Sequence, residues 1–180
     1  WSPLRPVPFL GILSISIVAP ARRERLRARA GEQGGKGLYS LVSLVGFVLL
    51  IKGYADARAL PELLYSPPQW TRHLMALLML PVFPLLFAAN LPGRIKSAVV
   101  HPMLTATILW SAAHLLGTTT RADALLFGGF LVWAVADLIS ALRRPRRPLR
   151  PAMVSRWNDL IAIGGGLVVY VVFVLWLHRV

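Results

Sequence analysis

The sequence contains no cysteine. That excludes disulfides, thiolate metal sites, iron–sulfur clusters and cysteine nucleophiles. It is also short of charge: 15% of its 180 residues are charged, against about 25% in soluble domains. Acidic side chains are the scarcest, with 7 Asp and Glu against 20 Lys and Arg. No P-loop is present, because the glycines around Gly31–Gly37 lack its spacing and its following Ser or Thr. Nor does any hydrolase or kinase motif occur. The residues before the first apolar run do not read as a signal peptide, and no cleavage motif follows that run.

What fills the chain instead is apolar. Hydrophobic residues make up 56% of it, and the mean hydropathy is +0.62. They come in runs approaching the roughly 20 residues that cross a hydrocarbon core of about 30 Å. The expected class is all-α: a single-domain, polytopic bundle of about six transmembrane helices. The spans read as Val7–Val18, Leu38–Ile51, His73–Leu91, Pro102–Gly117, Ala122–Leu142 and Leu160–Leu177.

The net charge of +13 is distributed in a way that fits this count. With six spans, the connections Pro20–Gly37, Pro92–His101 and Arg143–Trp157 fall on one side and hold most of the arginine and lysine. Basic residues accumulate on the cytoplasmic face. Both termini are therefore expected outside, and the bacterial inner membrane is the expected location. The basic loops would meet anionic lipid. Because these residues flank apolar spans rather than forming one patch, nucleic acid is not an expected partner. Trp157 and Trp176 bracket the last span, at a separation of about 28 Å along a helix. Tyr54, Tyr65 and Trp70 fit the outer interface.

Two features bear on packing. Pro81 and Pro84 interrupt the third span, and each removes a backbone donor and bends a helix. Gly164, Gly165 and Gly166 in the sixth span allow a neighbouring helix to approach closely.

The polar residues inside the spans carry the chemistry. His101 and His114 lie on one helix, separated by about 20 Å of rise and about 140° of rotation, so they cannot share a metal. Thr107, Ser111, His114 and Thr118 follow a helical spacing, with Trp110 and Met103 beside them. A polar stripe in a membrane helix points into the bundle or a cavity. His114 therefore reads either as a histidine hydrogen-bonded to a neighbour or as an axial ligand for a metal cofactor such as haem. His101, before Pro102, reads mainly as a helix-start residue. Asp137 in the fifth span needs a partner, and His101, Asn90 or a loop arginine lies at a suitable depth. His101, Asp137 and Asn90 thus form a second candidate polar site.

Four stretches resemble the NnrU family of bacterial membrane proteins: KGLYSLVSLVGFVLLIKGY, SPPQWTRHLMALLMLP, LPGRIKSAVVHPMLTATILWSAAHLL and LLFGGFLVWAVADLIS. The resemblance runs from about Leu10 to Arg179. That family is distantly similar to the plant 15-cis-zeta-carotene isomerase, a membrane haem b protein. The resemblance implies that His114 matches the haem-ligating histidine of the isomerase's W-C-L-A-H motif. Ser111 matches its cysteine, and His101 matches the histidine of its RHP motif. Leu13 stands where the family's first helix usually carries a histidine, the second ligand in the isomerase. The implied cofactor is haem b, held by His114 near Thr107, Trp110 and Ser111.

The implied roles are a factor in denitrification and nitric oxide metabolism, or a haem-dependent isomerase acting on a carotenoid. The alternative is a non-catalytic accessory subunit or assembly factor packed against a larger respiratory or photosynthetic complex.

Overall fold

The computed structural model describes residues 37, 40–41, 44–59, 62–64, 66–143 and 154–177. The expected first span, Leu13 and most of the basic residues of the first and last loops lie outside them. The described chain is helical. Residues 44–58 form α1. There follow α2 (Trp70–Met79), α3 (Val82–Asn90), the short α4 (Arg94–Val99), α5 (Pro102–Gly117), α6 (Arg121–Leu142) and α7 (Arg156–Val172). A π-helical turn, Phe173–Leu177, extends α7.

Six spans were expected, but among the described residues three helices are long and apolar enough to cross a membrane: Trp70–Asn90, Arg121–Leu142 and Arg156–Trp176. The expected fourth span forms a helix with its expected bounds, yet it has only 16 residues. That is about 24 Å, short of the about 30 Å of hydrocarbon. Pro102 starts it and Thr118, in extended backbone, stops it. The second expected span is helical at its described residues and runs on past Ile51 and Lys52 to Arg58. Polar side chains at a helix end do not break it, and the next strong stop in the sequence is Pro61.

The prolines divide the third span as expected. Neither Pro81 nor Pro84 can donate the helical hydrogen bond back four residues. The chain therefore leaves α2 at Leu80–Pro81 and resumes with Leu85 N donating to the Pro81 carbonyl at 3.0 Å. The glycines of α7 meet this break. A Cβ on Gly166 would lie 2.6 Å from Pro84 Cα, and one on Gly165 would lie 3.2 Å from Phe87 Cε1. Gly164 points into open space. Two of the three glycines thus serve the close approach foreseen for them. Ala162, one turn before Gly166, is likewise buried.

In the arrangement that results, α5 packs on α6 to one side and on α2 and α3 to the other, and α7 covers α3. Val82, Leu85 and Ala106 form the buried centre, with Met79, Leu109 and Trp110 against it. Many large apolar side chains remain outward, such as Val132 at 72% exposure, as lipid-facing helices require.

Two polar clasps hold the ends. At the His101 end, Asp159 at the start of α7 accepts from Arg94 N at 3.0 Å and Ile95 N at 3.1 Å, capping α4. Asn158 Nδ2 donates to the Pro92 carbonyl at 2.8 Å. Asp159 stands so close to Gly93 that a side chain there would overlap its carboxylate. Val100, after α4, takes a φ of 65° to turn the chain into α5. Side chains branched at Cβ rarely adopt that conformation.

At the Gly117 end, a strap antiparallel to the start of α6 pairs Leu64 N with the Thr119 carbonyl at 2.8 Å and Arg121 N with the Glu62 carbonyl at 3.0 Å. Arg121 and Glu62 also form a salt bridge of 3.1 Å. Both side chains are exposed, so this pair contributes little stability.

Candidate functional site

Between α2, α3, α5, α6 and α7 lies a cavity of about 1180 Å³. It exceeds the roughly 300–1,000 Å³ typical of small-molecule pockets. From α5 it takes Ala106, Thr107, Trp110, His114 and Gly117. These recur at helical spacing and form one stripe. Across from them stand Met75 and Met79 of α2 and Phe83 of α3. Phe83 packs against Tyr170 and Phe173 of the last helix, with ring centroids 6.3 and 5.6 Å apart. Tyr170 is oriented by its hydroxyl, which donates to the Ala76 carbonyl at 3.0 Å.

His114 sits in the last turn of α5, half-buried. Its Nδ1 is 2.8 Å from the Trp110 carbonyl oxygen. A carbonyl can only accept, so Nδ1 carries the proton and the imidazole lone pair belongs to Nε2. That is the tautomer in which histidine ligates through Nε2, with the other nitrogen fixed by a carbonyl. The ring stacks on Phe127 at 4.6 Å and 28°. Trp110 lies 5.1 Å away and meets Phe127 and Phe130 edge-on at 5.1 and 5.6 Å. The imidazole is thereby held by aromatic faces from two helices.

The other expected site residues separate. Thr107 lines the cavity, but its hydroxyl donates to the Met103 carbonyl at 3.0 Å within its own helix. Ser111 is fully buried, does not line the cavity, and its hydroxyl has no hydrogen-bond partner among the described residues. Thr118 donates to the His114 carbonyl at 2.8 Å.

His101 occupies the N-cap position of α5 before Pro102, at the end opposite His114, and its carbonyl accepts from Thr105 Oγ1 at 3.2 Å. Asn90 Nδ2 donates to the Leu86 carbonyl at 3.2 Å. Asp137 is half-buried on α6. Among the described residues no hydrogen bond or ion pair joins His101, Asn90 and Asp137 to one another. Among the described residues, too, no three His, Asp or Glu side chains gather as a metal cluster.

Several positions were not anticipated from sequence. Asp123 accepts from the Tyr54 hydroxyl and from Thr120 Oγ1 at 2.7 Å. Thr120 Oγ1 in turn accepts from Asp123 N at 3.2 Å, capping α6. Burial and the Asp123 carboxylate push the Tyr54 phenol above its usual value, while nearby Arg58 opposes them. The Thr-x-x-Asp spacing was a visible capping signal. Tyr54, 69 residues away from Asp123, was not a visible partner. Arg72, at the start of α2, is the single charged residue lining the cavity among the described residues.

Long apolar helices with outward-facing apolar side chains define an all-helical membrane protein. More particularly, the chain belongs to the NnrU family, whose model (NnrU protein) matches residues 4–180. No curated protein and no solved structure matches it.

Proposed function

We propose that this chain is a multi-pass inner-membrane protein that binds haem through His114 and serves denitrification or nitric oxide metabolism. The observation that carries this reading is the His114 ring, whose Nδ1–H is anchored on the Trp110 carbonyl at 2.8 Å. The residues fit the group. His114 would hold it, the Trp110 carbonyl and Phe127 would fix the imidazole plane, and Phe83, Tyr170 and Phe173 would wall it from lipid. The cavity of about 1180 Å³ has room for a macrocycle. Bound there, the iron would supply a coordination position for a small diatomic molecule.

Leu13, in place of the histidine usual for the family, favours this role over carotenoid isomerisation, since leucine cannot ligate iron. The test is the haem content of detergent-purified protein expressed with haem supplementation. Stoichiometric haem is the expected result. Folded protein without haem would refute the reading and leave an accessory subunit of a larger membrane complex as the function.

A further inference from the structure

The polar side chains lining the cavity gather toward one end, apart from Thr107 and Tyr170, whose hydroxyls donate to the Met103 and Ala76 carbonyls. Ser66, Thr71, Arg72 and Thr119 line it near the Gly117 end of α5, while Val82, Leu86 and Ala106 line it deeper in. From Gly117 to Ala106 the wall of α5 descends about 16 Å. Among the described residues, no acidic side chain lines the space. Arg72 is exposed, and its guanidinium makes no hydrogen bond or ion pair among the described residues. The other arginines at this end are engaged: Arg121 with Glu62, and Arg58 over the Tyr54 ring at 5.7 Å. Thr71 is committed too, its hydroxyl donating to the Pro68 carbonyl at 2.6 Å. Among the described residues, Arg72 is thus the one cation lining the mouth of an apolar well.

We infer that the cavity selects a carboxylate-bearing amphiphile, with Arg72 seating the acid group at the mouth and the apolar body lying against α5 and α7. Two sources share this chemistry, the propionates of a porphyrin and the head of a long-chain fatty acid. The porphyrin source rests on the haem reading above; the acid preference does not. A guanidinium binds a carboxylate through paired, charge-assisted hydrogen bonds. At this solvent-exposed position the gain is about three- to tenfold in affinity.

The test uses the purified full chain in neutral detergent, with metal-free protoporphyrin IX and its dimethyl ester as probes, read by porphyrin fluorescence and tryptophan quenching. Without iron, neither probe needs His114 as a ligand, so this result and that of the haem reading are independent. Wild type should bind the diacid about three- to tenfold tighter than the diester, and the preference should shrink in high salt. Arg72→Gln should abolish the preference, and Arg72→Lys should keep part of it, at unchanged thermal stability. Unlabelled palmitate then distinguishes the sources. Displacement of the porphyrin by palmitate, or binding of palmitate alone with Arg72 dependence, assigns the seat to fatty acids. Failure to compete assigns it to porphyrin propionates. Equal binding of diacid and diester, an unaltered preference in Arg72→Gln, or no binding of any probe overturns the inference.

Discussion

Replacing Gly166 with alanine should destabilise the protein, and replacing Gly164 should not. The two positions share a helix and a residue type, but Gly164 is exposed and Gly166 is buried. They differ in what a Cβ would meet. At Gly166 it would lie 2.6 Å from Pro84 Cα and 2.7 Å from Pro84 Cδ, while at Gly164 it would meet nothing within 4 Å. Carbon atoms pack best at about 3.5–4.0 Å, so α3 and α7 would have to separate by about 1 Å. Pro84 cannot yield locally, because its ring fixes the backbone. Overpacking of this kind costs about 1–3 kcal/mol. It weighs heavily in a membrane, where close packing replaces the hydrophobic effect between helices. Gly164→Ala gains instead, by about 0.5–1 kcal/mol, because alanine is the better helix former. Thermal unfolding in one detergent, followed by circular dichroism, should therefore move in opposite directions for the two variants. Equal stabilities, or a stabilised Gly166→Ala, would refute the contact between α3 and α7.

Two further outcomes follow from the clasps. Asp159→Ala removes the acceptor for Arg94 N and Ile95 N and should cost about 1–2 kcal/mol, the range for loss of a helix cap; unchanged unfolding would argue against the clasp. The Tyr54 phenol is raised above 10.0 in the folded protein, so the fold holds this proton more tightly than the unfolded chain does. Its contribution is complete below pH 10 and is lost as pH climbs through the folded value. Wild type should lose stability on alkaline titration more steeply than Tyr54→Phe, and parallel curves would contradict the Tyr54–Asp123 link.

The boundaries of the apolar helices were legible because their stops are local. Pro102 and Gly117 bound α5 in sequence and in structure alike. The expected Ala122–Leu142 became Arg121–Leu142. The span count was not legible. A run of apolar residues marks burial in lipid or in protein equally well, and α5, central among α2, α3 and α6, is a 16-residue case of the second kind. Pro84 and Gly166 were each visible as packing features, but their meeting joins residues far apart in the chain.

At the site, the cavity position of His114 agrees with a periodicity read from its own helix, and its anchor, the Trp110 carbonyl, lies four residues back. Ser111 stands on the edge of that stripe and faces protein rather than cavity, a distinction of about 60° of rotation that depends on where α6 sits. Arg72 and Tyr170 come from other helices, and no spacing in the sequence connects them to His114.

The most direct test of the central claim is the optical spectrum of detergent-purified protein, oxidised and reduced, for wild type and His114→Ala expressed with supplemented haem. The account predicts a Soret band in wild type that is lost in the variant while the helical circular dichroism of the two stays the same. A band of equal strength in the folded variant, or none in folded wild type, would contradict it.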